Sequence, residues 1–219
     1  MAYRRTERET ARLAARHEAI IVAARALASE SGLGALQIAP VAERAGIAAG
    51  TIYRYFPSKD DLVAAVVSAT TEREVAAIRA AAAAAPGALS GLAGAIAAFA
   101  SGTLQERRLA LAMLSEAPES GDAGRFAFRR SISAEFEGLI RTAIAAGHLP
   151  DQPPAAMAAA VIGAVVEGLL APTLAGPAAE RAAVQGIALF ALRALGVTDA
   201  RARGLVVSVI NSQGPAIAS

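Results

Sequence analysis

Apolar residues in this chain recur at helical spacing, and glycine and proline cut the pattern into segments. Leu13, His17, Ile20, Ala24 and Leu27 fall three or four residues apart on one largely apolar stripe, which ends at Ser31-Gly32-Leu33-Gly34. A short helix is predicted over about residues 39–45, stopped by Gly46, and another over about 49–55, stopped at Phe56-Pro57. Ser58-Lys59-Asp60-Asp61 reads as a capping box opening a long helix. The Ser58 hydroxyl can accept the Asp61 backbone N–H, and two carboxylates lie at the positive end of the helix dipole.

Pro86-Gly87 breaks or kinks that helix, and the next runs toward Gln105. A helix over 107–117 ends at Pro118 and Ser120-Gly121, and Asp122 can cap the following one. That one carries Phe126, Phe128, Ile132, Phe136, Leu139 and Ile144 up to Gly147. Asp151 with Pro153-Pro154 starts a very apolar helix (Met157 to Leu170) that ends near Pro172. The last long helix spans about 178–195 with Gly196 just beyond it, a short helix follows over 199–209, and 211–219 reads as a frayed tail. No fixed-period repeat is present.

Composition supports an all-α fold of about nine to ten helices. Of 219 residues, 55% are hydrophobic but only 4% aromatic, so the core is built from Ala, Leu, Val and Ile. The length suits one large or two small domains, and a charged fraction of 18% argues against a disordered chain. With no Cys, disulfides, thiolate zinc sites and a Cys nucleophile are excluded. Two histidines, His17 and His148, cannot form a His-rich metal site. No G-x-S-x-G, Walker lysine or metal-ligand pattern is present, so neither a catalytic site nor a cofactor or metal is expected.

An arginine-rich N-terminus without an apolar stretch behind it is not a secretory signal. The uncharged run from Ala80 to Gln105 has the length of a membrane span, and Gly87 and Gly91 form a G-x-x-x-G. It is mostly Ala, Gly and Ser with Pro86 inside, which favours a buried helix of a cytoplasmic protein with no membrane partner.

The net charge of +2 is unevenly placed. Arg4, Arg5, Arg8, Arg12 and Arg16 face only Glu7 and Glu9 in the first seventeen residues, whereas from residue 71 onward twelve basic and twelve acidic residues cancel. A basic excess confined to the first third points to a nucleic-acid partner. The stretch from Gly34 to Leu62 has the build of a helix-turn-helix. Val41, Ala42 and Ala45 face inward, Gly46 makes the turn, Ile47 plugs the angle, and Ile52 and Phe56 anchor the second helix. Its outward positions are Ala48, Ala49, Thr51, Arg54 and Tyr55, with Tyr53 flanking; hydroxyl, phenol and guanidinium groups suit a major groove and its phosphates.

V-A-E-R-A-G, G-T-I-Y-R-Y-F and P-S-K-D-D-L at their spacing resemble the TetR family of transcriptional regulators over residues 17–65. The resemblance implies a DNA-binding domain in residues 1–62, a helical effector-binding and dimerisation domain in 63–210, and a flexible tail in 211–219. It implies phosphate contacts from Tyr53, Tyr55 and Lys59, and base or backbone contacts from Thr51 and Arg54. Arg4, Arg5 and Arg8 would form a flexible arm entering the flanking minor groove. Several positions depart from the family pattern. Gln37 replaces the usual Thr cap, Ala48-Ala49 replaces a Ser-Lys opening, and Ala39 stands where some members read a base. Gln37, Thr51 and Arg54 are therefore left to supply most base readout, with DNA shape supplying the rest.

In the rest of the chain, the resemblance implies that helices 154–171 and 178–195 pair with their copies in a homodimer, helped by the small residues Gly163, Ala164, Gly168 and Ala188. An effector pocket would lie among helices spanning 89–170, with Phe99, Met113, Phe126, Phe136, Met157 and Val161 as candidates for its lining or for plain core. Glu167, a carboxylate inside an apolar run, would meet an effector or an Arg across the dimer. His17 reads as structural, His148 as a helix-end residue, and Arg125, Arg129 and Arg130 as a solvated face. The function implied is a repressor released from palindromic double-stranded DNA by an unidentified small molecule. The alternative is a helical ligand-binding or protein-interaction protein whose helix-turn-helix has decayed.

Overall fold

The structure, a computed structural model, describes residues 2–114, 123–170 and 176–212. These form α1 (Ala2–Ser31), a 3-10 turn (Leu33–Ala35), α2 (Ile38–Arg44), α3 (Ala49–Ile52), α4 (Lys59–Ala83), α5 (Ala88–Gln105), α6 (Arg107–Leu114), α7 (Ala123–Ala145), α8 (Pro154–Leu170), α9 (Pro177–Ala194) and α10 (Asp199–Ser212). No strand occurs among the described residues, and the all-α expectation holds.

Most boundaries follow the local chemistry read from the sequence. Ser58 Oγ accepts the Asp61 N–H at 3.1 Å, and an Asp61 carboxylate oxygen accepts the Ser58 N–H at 3.0 Å, so the capping box closes in both directions. Gly196 adopts φ +91° just past α9, a left-handed conformation that lets the Val197 N–H reach the Leu192 carbonyl and end the helix. The N-terminus differs from expectation. In place of a flexible arm, helix α1 runs back to Ala2, because residues 2–16 hold neither Gly nor Pro and are rich in Ala, Arg and Glu. Its buried stripe begins at Ile20, and Leu13 is 44% exposed. Helix α3 is shorter than expected, and α10 is longer, extending to Ser212. The predicted stops at Pro118 and Pro172, the Asp122 cap and positions 213–219 of the tail lie outside the described residues.

Helix α5 is central, packed against α4, α7, α8, α9 and α10. Leu92, Ala95, Ile96 and Ala100 are fully enclosed, and Phe99 meets Phe136 of α7 edge-on with ring centroids 5.6 Å apart. The helix is long and apolar enough to cross a bilayer, yet most of it is covered by protein. Against α4 there is almost no side chain in the seam. A Cβ on Gly91 or Gly94 would stand 3.0 Å from the carbonyl oxygens of Ala82 and Ala81. Between α8 and α9 the glycine instead makes room for a side chain, since a Cβ on Gly168 would lie 2.7 Å from Ile187 Cγ1. Gly168 and the buried Ala188 therefore serve contacts within one chain, leaving Gly163 and Ala164 half-exposed.

Candidate nucleic-acid interface

The turn between α2 and α3 is closed by backbone chemistry. Gly46 sits at φ +67°, which most side chains resist. Its N–H reaches the Glu43 carbonyl at 3.1 Å and the Ile47 N–H reaches the Ala42 carbonyl at 3.0 Å, satisfying two carbonyls at the end of α2. Val41, Ala42, Ile52 and Phe56 are buried beneath this corner, with Ile47 half-buried in the angle. Helix α3 starts at Ala48, which has no side-chain acceptor for the first N–H groups. Past Ile52 the spiral tightens: the Arg54 N–H bonds the Thr51 carbonyl at 3.2 Å and the Tyr55 N–H the Ile52 carbonyl at 2.9 Å. The expected helix over 49–55 is thus one α-turn extended by tighter turns.

This corner leaves Gln37, Ala48, Ala49, Tyr53, Arg54 and Lys59 exposed and Thr51 and Tyr55 half-buried. Tyr55 leans toward α1, its ring centroid 6.3 Å from that of His17, which stacks more closely on Phe56 at 4.9 Å. His17 is therefore structural. Lys59 Nζ donates to the Gly34 carbonyl at 3.1 Å, at the start of α4. The backbone of Arg4, Arg5 and Arg8 lies in the first turns of α1, their side chains lie outside the description, and Arg12 and Arg16 are exposed further along.

Two sets of contacts tie this unit to the other helices. Glu30, near the end of α1, takes a two-pronged ion pair from Arg44 of α2 at 2.5 and 3.0 Å, which holds its carboxyl below the usual range. The Glu30 backbone carbonyl accepts from Arg108 of α6. Deeper in, Arg25 of α1 pairs with Glu106 at 3.4 Å, and Arg73 of α4 lies 3.0 Å from both Glu106 Oε2 and Glu74 Oε1. Burial pushes the Glu74 carboxyl above its ordinary value, against the opposing pull of Arg73.

The expected pocket residues divide into two groups. Phe99, Met113, Phe136 and Val161 are core, each at most 2% exposed, and Met157 is half-buried against it. Phe126 is half-exposed beneath the Arg130 guanidinium, 5.7 Å away, and Glu167 is exposed. Neither lines an interior pocket. The inward stripe of α7 runs Phe128, Ile132, Phe136, Ile140, and that of α8 runs Ala158, Val161, Ile162, Val165; both residues fall off those stripes. Arg129 is exposed, as is Arg130, and donates to the Leu114 carbonyl at 3.1 Å. His148 ends α7, its Nδ1 3.4 Å from Arg201. The interior polar cluster around Glu74 was missed from sequence. Its signal was a carboxylate in register with Val67, Thr70 and Ile78 on the buried face of α4.

Residues 20–66 match the model of bacterial regulatory proteins of the tetR family, which bears out the resemblance read over 17–65. The HTH-type transcriptional repressor KstR of Rhodococcus jostii is 48% identical over 58 residues, spanning 26% of this chain and 27% of that protein. The chain thus matches about a quarter of that relative's length. The overall fold is similar to that of the fatty acid degradation regulator FadR from Bacillus halodurans, with TM-score 0.67 and 20% identity over 84% of this chain and 97% of that one. It is also similar to the regulator FadR from Bacillus subtilis in complex with stearoyl-CoA, with TM-score 0.60 and 19% identity over 89% of this chain and 95% of that one.

Proposed function

We propose that this chain is a transcriptional repressor of the TetR type, a cytoplasmic homodimer that binds a palindromic operator and is released from it by a small molecule. Its DNA-binding part is residues 1–62 and its effector and dimerisation part 63–210. The carrying observation is the solvent-facing group Tyr53, Arg54 and Lys59 on a corner whose buried side is closed by Val41, Ala42, Ile52 and Phe56. Phenol, guanidinium and ammonium on a thin helical edge suit phosphate and base-edge contacts, with Arg54 reading a guanine and Gln37 and Thr51 assisting. The outer face of α8 and α9 supports pairing with a second copy: Phe190 is 61% exposed, and Gly163 and Ala164 permit close approach. A twofold dimer would read half-sites about 34–36 Å apart, or a multiple of that. KstR is named a repressor and the Bacillus subtilis FadR was solved with stearoyl-CoA, which supports release by a ligand. The effector would act by favouring an arrangement of the dimer whose two recognition edges no longer match successive grooves.

A decayed helix-turn-helix is favoured by one observation, the uncapped and apolar Ala48-Ala49 opening. Genome-fragment selection with purified protein at near-physiological salt, followed by footprinting, separates the two readings. An enriched palindrome is the expected result; absence of binding at any salt would establish decay.

A further inference from the structure

Glu106 is the single residue between α5 and α6. Its N–H makes the last bond of α5, to the Gly102 carbonyl at 3.2 Å, and its carbonyl accepts the Ala110 N–H of α6 at 2.9 Å. With φ −118° and ψ 45° it leaves the helical region, so the chain bends there. A residue that ends one helix and opens the next is where a bend angle can change at least cost. Its carboxylate grips two further helices: Oε1 lies 3.4 Å from Arg25 Nε of α1, and Oε2 lies 3.0 Å from Arg73 of α4. Arg73 is steadied by Glu74 at 3.0 Å. Gly102, one turn before the bend, gives that second carboxylate room against α5, since a Cβ there would stand 2.7 Å from Glu74 Oε2. Two residues past the bend, Arg108 donates to the Glu30 carbonyl near the end of α1. The bend thus holds α1 at residues 25 and 30, about 7.5 Å apart along its axis. One contact leaves a helix free to pivot, whereas two separated contacts fix its angle.

We propose that Glu106 is a positioning residue for DNA binding: from the α5–α6 bend it sets the angle of α1, and with it the recognition corner, against the larger helical part. The corner follows α1 because Glu30 also takes the two-pronged pair from Arg44 of α2. The Glu106 side chain is 17% exposed, so its pairs are screened far less than surface ones. The two guanidiniums are not equally dependent on it. Arg73 keeps Glu74 when the Glu106 charge is removed, whereas Arg25 has Glu106 as its ion-pair partner among the described residues. Loss of the charge therefore frees α1 at residue 25 and leaves it to pivot about the Glu30–Arg108 contact. The consequence at DNA rests on the regulator reading; the joint itself does not.

The test has two readouts on the intact protein. The chain holds no cysteine, so Ala14→Cys on α1 and Ala145→Cys on α7, both exposed, place one pair of spin labels in each copy. Dilution with excess unlabelled protein lets pulsed EPR read the distance within a single chain. Glu106→Gln and Arg25→Gln are each expected to broaden that distance distribution about twofold or more, as a freed pivot requires. Arg25→Lys keeps the cation and should hold the distribution narrow. The second readout is operator spacing. One base pair inserted between the half-sites turns one about a tenth of a turn relative to the other. The parent should lose about tenfold or more in affinity for the respaced site and Glu106→Gln about threefold or less, because loosened corners accept the new angle. A variant that is merely less stable would bind both sites more weakly and keep their ratio. An unbroadened distribution in Glu106→Gln, or an unchanged spacing ratio, overturns the proposal. Should Glu106→Gln fail to fold by circular dichroism, the same readings on Arg25→Gln decide. Absence of any enriched DNA sinks the regulator reading, and the EPR distances then decide the joint by themselves.

Discussion

Lys59 Nζ donates to the backbone carbonyl of Gly34, twenty-five positions earlier in the chain, at 3.1 Å. The ammonium thereby bridges the loop before α2 and the first residue of α4, and two of its three donors stay available for a phosphate. Lys59→Gln is expected to lower DNA affinity about equally for operator and random sequence, and to reduce the slope of log affinity against log salt by about one. Measuring binding at several salt concentrations checks this; an unchanged slope would confine Lys59 to a structural role.

Arg54 should behave in the opposite way. Exposed and free of any ion pair among the described residues, it is expected to read a guanine. Arg54→Ala should cost about 1–3 kcal/mol on the operator and relax preference at one base position. A loss of equal size on random DNA would move it to the phosphate contacts.

The helix-turn-helix was legible because its determinants are local: Gly46 at the turn, Ile52 and Phe56 at helical spacing, and Ser58 with Asp61 at a helix start. Each of these acts within a few residues of itself. The interior ion cluster was not legible as a cluster, because Arg25, Glu74 and Glu106 lie on separate stretches of the chain and meet only through packing. Phe126 and Phe128 carry the same side chain two positions apart, and register alone puts one at half exposure and the other at 1%. In a chain so rich in alanine, the apolar stripe is broad and weakly aimed, which is why the stripe read from Leu13 is buried only from Ile20 onward.

Glu74 should also leave a mark on stability. Burial raises its carboxyl in the folded state, so the native protein holds the proton to higher pH than the unfolded chain does. Below the unfolded value, about 4.3, both states are protonated and no penalty arises. As pH rises through the raised folded value, the native state must carry a buried carboxylate and loses stability. Glu74→Gln removes this titration. The melting temperature of the variant relative to the parent should rise from pH 4 toward pH 7, whereas a difference independent of pH would mean that Arg73 fully offsets the burial.

Phe190 tests the assembly. At 61% exposure on α9, it is expected to be covered by the second copy. Phe190→Glu should convert the dimer to monomer in sedimentation experiments while leaving helical circular dichroism intact, and it should weaken operator binding by removing the second half-site contact. A parent protein that sediments as a monomer would defeat this assignment before any mutation is made.

The glycine seam between α4 and α5 bears on motion as well as packing. Gly91 and Gly94 hold the C-terminal end of α4 against α5 backbone to backbone, while its N-terminal end carries the DNA-binding corner. A helix of 25 residues is about 37 Å long, so a tilt of about five degrees about that clasp swings the far end by about 3 Å. Pivoting there and carrying the corner at its far end, α4 would work as a lever. A sub-ångström wedge close to the clasp and a displacement the width of a hydrogen bond at the DNA are then the same event seen from its two ends.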